Sequence, residues 1–314
     1  FANHIEELGK AKTDDDPTKN LKIKGIYYDI GNDIYLPLPQ DCVKEKNDKD
    51  KVSILSMIKN ESRNSCPTSY LLSNKDGRKV ENVPDGFIRK SIFEKYLIQN
   101  APEEFFIKKI SDYVLLEPKI GIGRSSITHS TEEGKLYRVD MKRLVNKIGE
   151  SLSLVIDFEG LNLPEEGLMK LGGEGKAVSY EKFKPVNLFV DKSKLDRTRF
   201  KLYLSTPAIF ENGWLPEWMD KETLTGKYSG LKLRLLTASI GKPLNIGGFD
   251  MKERKPKPMY KAVPAGSVYY FEITEGDIQK VFEIFNQKAI SDLYPEQGFG
   301  MAYVGKISEG DRIL

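Results

Sequence analysis

The sequence has few of the residues that most often perform catalysis or form covalent cross-links. Its 314 residues include two cysteines, Cys42 and Cys66, and two histidines, His4 and His129. Two cysteines can form one disulfide but cannot build a metal cluster, and such sparse use is typical of a reducing cytoplasm. The chain contains no serine–histidine–acid order, zinc-ligand spacing or paired-carboxylate motif. The sequence therefore predicts no catalytic residue, no metal and no cofactor.

Long apolar runs and a strong net charge are lacking too. No apolar run approaches the roughly 18 residues of a membrane span, and the start has no signal-peptide pattern, so we expect a cytoplasmic protein. The chain holds 49 Lys and Arg against 46 Asp and Glu, which gives a formal net charge of +3. Any nucleic-acid surface must therefore be local. Because the sequence opens at Phe1, we interpret an upstream piece as missing.

Alternation with a period of two is the main pattern that is present. Apolar residues alternate with basic or polar ones along 199–204 and again along 231–235. This period predicts strands with one buried face and one solvated face, and it places the basic residues on the solvated face. Further strands are predicted over 23–29, 120–127, 136–141, 152–158, 268–273 and 301–304.

Helical patterns are fewer and shorter. Ser91 is a candidate N-cap for a helix over 92–99, with Glu94 three residues later as in a capping box. Apolar residues recur at helical spacing over 277–288, which predicts a second helix that faces the core. Many strands with few helices favour an α+β fold with mostly antiparallel sheets. A boundary near residue 148 would divide the chain into domains 1–148 and 149–314.

Three glycine clusters lie between these predicted strands. Glycine permits positive φ and lets another backbone approach closely, so an extended phosphate-bearing strand is a fitting partner. Glycines between strands also simply make turns or bulges, and this alternative stays open. The first cluster is not a P-loop, because Lys170 and Ala177 stand where a glycine and a hydroxyl residue are required. The cluster glycines are Gly172, Gly173, Gly175, Gly247, Gly248, Gly298 and Gly300.

Basic residues crowd a short proline-containing stretch after the second cluster. Prolines hold such a segment extended, so its cations could follow a phosphate backbone and release counterions. The alternative is a solvated surface loop, which lysine-rich stretches usually are. A second basic run with interleaved aromatics covers 182–201. The candidate phosphate-binding residues are Arg124, Lys176, Lys242, Lys252, Arg254, Lys255 and Lys257.

Several short motifs occur in one order along the chain. They are LGGE at 171–174, LSTPA at 204–208, GFDM at 248–251, KPK at 255–257, PAGSV at 264–268 and GFG at 298–300, with GIG at 121–123 and EGKLY at 133–137 upstream. Each motif alone is weak, but the order and spacing are specific. The series resembles the third subunit of the Cmr complex, the type III-B CRISPR effector of the RAMP superfamily. The resemblance covers most of 85–306 and is strongest after 165.

The resemblance implies two ferredoxin-like, RNA-recognition-type domains with glycine-rich loops. It also implies a non-catalytic RNA-binding scaffold in antiviral defence, which grips the 5′ tag of the guide crRNA and docks the large polymerase-like subunit. A neighbouring backbone subunit would cut the target RNA, and no small-molecule substrate is expected. The basic residues named above would contact the RNA, together with Gly172, Gly173, Gly247, Gly248, Gly298 and Gly300.

The chain departs from the family pattern in two places. Family members begin with a strand and a helix ahead of the position that Phe1 occupies, and Lys242 and Phe249 stand near the second cluster, where the family often has a basic residue and a tryptophan. Two other functions remain open. One is a RAMP endoribonuclease that processes guide precursors with His129 as the proton-transfer group. The other is a purely protein-bridging subunit whose basic stretches are solvated faces.

Overall fold

β-Strands dominate the computed structural model of the chain. The structure describes residues 18–46, 51–61, 67–74, 77–98, 105–145, 150–171, 176–195, 198–250 and 253–307. The described helices are α1 (Lys90–Ile98) and α2 (Ile278–Phe285), with single 3₁₀ turns at Ile110–Asp112, Lys192–Lys194 and Pro295–Gln297. None of these helices is both long and apolar enough to cross a lipid bilayer. Mostly antiparallel sheets with few helices confirm the predicted balance of elements.

Within the described ranges, twenty-five mostly short strands follow one another. In chain order they are β1 (Lys22–Ile30), β2 (Asp33–Pro37), β3 (Cys42–Glu45), β4 (Lys51–Ile54), β5 (Ser56–Lys59), β6 (Tyr70–Ser73), β7 (Val80–Asn82), β8 (Gly86–Arg89), β9 (Phe105–Phe106), β10 (Lys108–Lys109), β11 (Val114–Arg124), β12 (Thr131–Leu144), β13 (Leu152–Glu159), β14 (Glu166–Lys170), β15 (Ala177–Glu181), β16 (Arg199–Leu204), β17 (Thr225–Tyr228), β18 (Leu231–Ser239), β19 (Leu244–Ile246), β20 (Phe249–Asp250), β21 (Lys255–Pro256), β22 (Tyr260–Ala262), β23 (Val268–Glu275), β24 (Lys288–Ala289) and β25 (Met301–Gly305).

The first sheet has the order β10-β8-β2-β1-β13, and every neighbouring pair is antiparallel. Gly31 and Asn32 join β1 to β2 with φ of 61° and 68°, as a type I′ hairpin turn requires. Helix α1 follows β8 directly and buries Phe93, Tyr96 and Leu97. Because α1 begins at Lys90, Ser91 lies inside it, and the N-cap prediction was wrong.

The second sheet has the order β17-β18-β23-β16-β25-β24 and is antiparallel throughout. Helix α2 lies between β23 and β24 in the chain, and its N-cap Asp277 accepts a hydrogen bond from the backbone N–H of Gln279 at 3.0 Å. Val281 and Phe285 of α2 are buried against one face of the sheet. Both the helix over 277–288 and its core-facing stripe are thereby confirmed.

The other face of the second sheet packs against the N-terminal half of the chain. Tyr203 of β16 lies 4.7 Å from Phe93 of α1, measured between ring centroids. Lys201 is 1% exposed, and its Nζ lies 3.3 Å from the centre of the Tyr96 ring. The predicted solvated face of 199–204 was therefore wrong. The alternation is real, but a second layer of protein covers the side that a lone sheet would expose.

A buried carboxylate ties the two halves together. Tyr96 of α1 and Tyr270 of β23 each donate a phenolic hydrogen bond to Asp41 Oδ2, at 2.7 and 2.6 Å. Cys42, the cysteine within the described residues, is buried beside Asp41, and burial raises the pKa of its thiol well above the usual value. Polar groups at this depth must be satisfied by one another, so the cluster fixes how the halves pack.

The proposed domain boundary falls at residues 146–149, outside the described ranges. β13 follows this point in the chain yet pairs with β1 at the edge of the first sheet. The second sheet takes its first strand from Arg199 onward. A division into 1–148 and 149–314 stays a prediction.

Two antiparallel ribbons and a hairpin stand apart from the large sheets. Ribbon A is β11 with β12, at 114–144. Ribbon B is β19 with β22, extended by β20 with β21, at 244–262. The hairpin is β14 with β15, at 166–181. These three elements carry or flank nearly all of the predicted RNA-binding residues.

Candidate nucleic-acid interface

Ribbon B holds the basic stretch in a defined shape. Phe249 pairs with Pro256 and Asp250 with Lys255 next to the tip, and Ile246 pairs with Tyr260 nearer the base. Between these pairs the backbone N–H of Lys257 donates to the carbonyl oxygen of Gly248 at 2.9 Å. From Lys255 onward the basic stretch is therefore one arm of a ribbon and is extended, as its prolines predicted.

Cations concentrate at the tip of ribbon B. Arg254, Lys255 and Lys257 are exposed, and Lys255 forms an ion pair with Glu253 at 3.7 Å. Arg254 has a φ of 50°, so it occupies the left-handed turn position of the tip. Lys242 is exposed just before β19. Lys252 lies outside the described residues. Exposed cations on a projecting element attract an extended polyanion.

Gly248 leaves the backbone of ribbon B accessible. A Cβ added there would meet no atom closer than Lys257 Cδ, at 3.7 Å, whereas one added at Gly247 would meet Met259 Cε at 2.9 Å. Both glycines are exposed, and neither has a positive φ. Because the turn does not demand glycine at 248, the open backbone is itself the notable feature. It fits the close approach that the sequence predicted.

Aromatic rings anchor the base of ribbon B to the rest of the protein. The rings of Tyr260 and Tyr294 meet edge to face with centroids 5.9 Å apart, and their hydroxyl oxygens lie 3.4 Å apart. The Phe299 ring follows at 6.4 Å from that of Tyr294. The hydrogen bond with Tyr294 raises the pKa of Tyr260 above the ordinary value of a phenol. Tyr294 is 38% exposed, so part of its ring is open to solvent at the base of ribbon B.

The third glycine cluster differs from the second because it is packed inside the protein. Gly298 and Gly300 are buried with φ of 86° and 73°. An added Cβ would lie 2.7 Å from Ile23 Cγ2 at the first position and 2.5 Å from the Ser291 backbone nitrogen at the second. This geometry favours a role in shaping the loop that carries Tyr294. Their contact with RNA stays a prediction.

The first glycine cluster lies largely outside the described residues, which include Lys176 but not Gly172, Gly173 or Gly175. Lys176 is exposed, and its Nζ lies 3.6 Å from Met141 Sδ on β12. This side-chain contact links the end of the hairpin at 166–181 to ribbon A. This contact brings one predicted cation to the ribbon that carries another, Arg124.

Arg124 ends β11 at the tip of ribbon A. Its Nη2 and Nε donate to the backbone oxygen of His129, at 2.7 and 3.0 Å. His129 has a φ of 54° and donates its backbone N–H to Ser125 at 3.0 Å. These contacts close the loop at the tip of ribbon A. Arg124 and His129 therefore both have a structural role in that loop. Among the described residues, no group of His, Cys, Asp and Glu is arranged to hold a metal ion.

Sequence reasoning did not include Tyr260 and Tyr294 among the site residues. Each stands beside a motif that was recognised, Tyr260 after the basic prolines and Tyr294 before the third glycine cluster. A lone tyrosine between strands is more often a core residue, so only the pairing of the two rings distinguishes them.

The architecture defines a mostly antiparallel β protein with projecting ribbons, one of them strongly cationic. A sequence profile described as CRISPR-associated protein (Cas_Cmr3) matches residues 2–307. The chain belongs to this family.

Solved structures give a weaker likeness. A chain in a cryo-EM structure of the type III-B Cmr-beta bound to cognate target RNA and AMPPnP, state 1, is 13% identical with a TM-score of 0.45, over 90% of this chain and 77% of that one. A second, of the type III-B Cmr-beta bound to cognate target RNA, has the same identity and TM-score over 86% and 72%. At this TM-score the likeness carries no argument about the site. No curated protein matches the sequence significantly.

Proposed function

We propose that the chain is a non-catalytic, RNA-binding scaffold subunit of a type III-B CRISPR effector complex in the cytoplasm. It holds the 5′ tag of the guide crRNA and docks the large polymerase-like subunit and the backbone subunits. Membership of the Cas_Cmr3 family supports the type of complex. The observation that carries the RNA-binding role is the tip of ribbon B, where exposed cations flank the open backbone at Gly248.

Ribbon B would grip the RNA through its phosphates. Arg254, Lys255 and Lys257 lie within four residues of one another on a narrow element, so their side chains can reach successive phosphates of one strand. Such contacts position a strand and carry little sequence preference. Tyr294 adds a surface on which one base could stack, at the point where the ribbon joins the body.

We also propose that the second sheet is a variant ferredoxin-like unit. Its inner strands lie in the order β18-β23-β16-β25. β16 precedes the first long connection and lies beside β25, which follows the second connection. β23 precedes the second connection and lies beside β18, which follows the first. Helix α2 occupies the second connection, between β23 and β24. The first connection, at 205–224, forms a loop with isolated bridges instead of a helix. This supports one RNA-recognition-type domain more directly than it supports two.

Removing the tip cations tests the RNA-binding role. The variant Arg254→Ala/Lys255→Ala/Lys257→Ala should bind single-stranded RNA with the tag sequence more weakly. Its plot of log affinity against log salt should be shallower by about 2, because each lost phosphate contact removes roughly 0.7 from the slope. A filter-binding titration at several salt concentrations measures both quantities.

The control removes three lysines from other elements. Lys59→Ala/Lys227→Ala/Lys232→Ala changes the net charge equally, but these lysines lie on β5, β17 and β18. This control should keep most of the affinity and the slope. Equal losses in the two variants would mean that ribbon B has no special role, and the proposal would be wrong.

The non-catalytic assignment has its own test. The full chain is incubated with repeat-containing RNA without metal, and the products are resolved on a gel. We expect intact RNA for the parent chain and for His129→Ala. Specific cleavage that His129→Ala abolishes would replace the scaffold role with an endoribonuclease.

A further inference from the structure

The segment that carries Tyr294 is bent by three residues with a left-handed backbone. Tyr294 has a φ of 56°, and Gly298 and Gly300 have φ of 86° and 73°. Glycine adopts such a φ freely, but a tyrosine does so only at a cost in free energy. We call residues 290–300 the Tyr294 loop. Because a strained backbone persists only where neighbours hold it, the contacts of this loop show which residues place the tyrosine ring.

Thr206, which follows β16 in the LSTPA motif, holds the C-terminal end of the Tyr294 loop. Its hydroxyl donates to the carbonyl oxygen of Gly298 at 2.6 Å and accepts the backbone N–H of Met301 at 2.8 Å. Thr206 is 3% exposed, so both bonds are shielded from water. The backbone N–H of Gly300 donates to the carbonyl oxygen of Pro207 at 2.7 Å. One hydroxyl thus uses its donor and an acceptor position on the same loop.

Ser291 holds the N-terminal end of the Tyr294 loop. Its Oγ accepts the backbone N–H of Ile209 at 2.8 Å. The same Oγ lies 2.8 Å from the carbonyl oxygen of Leu293 and 3.0 Å from that of Ile209, and it can donate to either. The backbone N–H groups of Asp292 and Leu293 donate to the carbonyl oxygen of Ile209 at 3.1 and 3.3 Å. Both residues that precede the tyrosine are thereby fixed to the connection that follows β16.

Thr206 and Ser291 are hydroxyl residues at the edge of an apolar core. Both lie outside the strands, and their neighbours Leu204, Ala208 and Ile290 belong to the hydrophobic cluster of the second sheet. A buried hydroxyl is unfavourable unless it is hydrogen-bonded. Hydrogen bonds to the backbone at both ends of the Tyr294 loop satisfy the two hydroxyls. We call Thr206 and Ser291 the hydroxyl clasp.

Between the two fixed ends of the loop, the ring of Tyr294 is turned outward. Tyr294 is partly exposed, whereas Ser291, Gly298 and Gly300 are buried. The ring meets Tyr260 of ribbon B edge to face, and the two hydroxyl oxygens are close enough to share a hydrogen bond. The hydroxyl clasp therefore connects the core of the second sheet to the ring at the base of ribbon B.

We propose that Thr206 and Ser291 are positioning residues for RNA binding, which hold the ring of Tyr294 ready to stack on a base before the RNA arrives. The proposal rests on the proposed function, in which Tyr294 provides the stacking surface. A ring that is already fixed loses less conformational freedom on binding, so the affinity is higher. The proposal also gives the LSTPA motif at 204–208 a role, although the motif itself lies in the core.

A double-mutant cycle tests whether the hydroxyl clasp acts through Tyr294. Thr206→Val replaces the hydroxyl with a methyl group of similar size. In the full chain it should weaken the binding of single-stranded RNA with the tag sequence by about threefold or more. In the Tyr294→Ala chain the same change should have no further effect. Filter binding measures the four affinities at a temperature at which unfolding curves show every variant to be folded.

Three further variants complete the cycle. Thr237→Val removes the hydroxyl of another buried threonine, which is 4% exposed on β18 of the same sheet, and should leave the RNA affinity unchanged. Thr206→Ser keeps the hydroxyl and should keep the affinity of the parent chain. Ser291→Ala opens the other end of the loop and should behave as Thr206→Val does, so it replaces Thr206→Val if that variant does not fold.

A fluorine NMR spectrum of the RNA-free chain tests the positioning of the ring by itself. The tyrosines are replaced by 3-fluorotyrosine during expression, and the signal of Tyr294 is the one that Tyr294→Phe removes. The chemical shift of this signal should change in Thr206→Val and in Ser291→Ala. It should stay at the parent value in Thr237→Val.

Two results would overturn the proposal. Equal weakening by Thr206→Val in the parent chain and in the Tyr294→Ala chain would mean that the clasp affects RNA binding by another route. An unchanged Tyr294 fluorine signal in Thr206→Val and Ser291→Ala would mean that the clasp does not place the ring. Failure of the proposed function is distinguishable, because the RNA affinity would then be insensitive to Tyr294→Ala while Thr206→Val still shifts the fluorine signal.

Discussion

Ribbons A and B share an architecture and differ in how their exposed apolar and basic side chains are distributed. Each is a two-stranded antiparallel ribbon that forms outside the two large sheets. Ribbon A exposes leucines and isoleucines along one face, whereas ribbon B exposes lysines and an arginine at its tip. Ribbon A is held at its foot by an apolar cluster, and ribbon B by the rings of Tyr260 and Tyr294.

The difference in exposed side chains between ribbons A and B shows that the backbone fold alone does not determine what a ribbon binds. Strand pairing creates two sides with alternate residues, and the side chains then select what each side can bind. The body of the protein differs from both ribbons, since both faces of the second sheet are buried. Changes in the body should therefore affect both ribbons, whereas changes in one ribbon should leave the other intact.

The largest effect is expected from Asp41→Ala in the body. The change leaves two buried phenols, Tyr96 and Tyr270, without their acceptor and removes a buried carboxylate near Lys201. We expect a loss of about 3 kcal/mol or more in the free energy of unfolding. Urea denaturation followed by fluorescence measures it.

An exposed acid provides the control for Asp41. Glu81 forms an ion pair with Lys44 at 2.7 Å near the surface, so Glu81→Ala should leave the urea midpoint nearly unchanged. A similar shift in both variants would mean that the buried cluster does not hold the halves together.

The next effect distinguishes buried from open glycines. Gly300→Ala forces a side chain onto a backbone with φ of 73° and against Ser291, so it should lower the free energy of unfolding by about 1–3 kcal/mol. Gly248→Ala would make only an ordinary contact with Lys257 Cδ, at 3.7 Å, and should leave stability unchanged. If Gly248→Ala were the more destabilising of the two, the contrast between the clusters would be wrong.

A smaller effect is expected from single aromatic changes, measured as RNA affinity. Tyr294→Ala removes a partly exposed ring and should weaken single-strand binding by roughly five- to tenfold, while Tyr294→Phe keeps the ring and should restore it. On ribbon A, Leu136→Ala should leave RNA affinity at the parent value. Equal weakening by Leu136→Ala would remove the distinction between the ribbons.

The smallest effect at neutral pH concerns the buried tyrosines of the body. Burial raises the pKa of Tyr96, Tyr203 and Tyr303 well above the ordinary value of 10.0. In the unfolded chain these phenols ionise near pH 10, but in the folded chain they cannot. Stability should therefore be unaffected by these groups below pH 10 and fall above it. Unfolding curves at pH 8, 9, 10 and 11 check the sign, and rising stability above pH 10 would contradict it.

The sequence predicted strands well where one face of the strand is buried and the other is exposed to solvent. The alternation over 231–235 became β18, with Lys232 and Arg234 turned outward to partner Glu275 and Glu272. The same pattern over 199–204 became β16, yet its basic side was buried. Alternation indicates that the two faces of a strand differ in polarity. It does not indicate whether a distant part of the chain covers the polar face.

The ends of strands and the contacts between residues far apart in the sequence were not predictable from the local sequence pattern. The strand expected over 120–127 is β11, which begins at Val114 and ends at Arg124, because the residues after it close the tip of ribbon A. The cationic tip of ribbon B could be predicted from its lysines and prolines. The pairing of Tyr260 with Tyr294 could not, since it joins residues that are far apart in the sequence.

Crosslinking of the assembled complex by ultraviolet light, with the adducts mapped by mass spectrometry, tests the assignment of the two ribbons most directly. The account predicts guide-RNA adducts at Lys257, Tyr260 or Tyr294 and none at 114–122 or 136–144, on the two strands of ribbon A. Adducts along those strands, with none over 244–262 or at Tyr294, would contradict it.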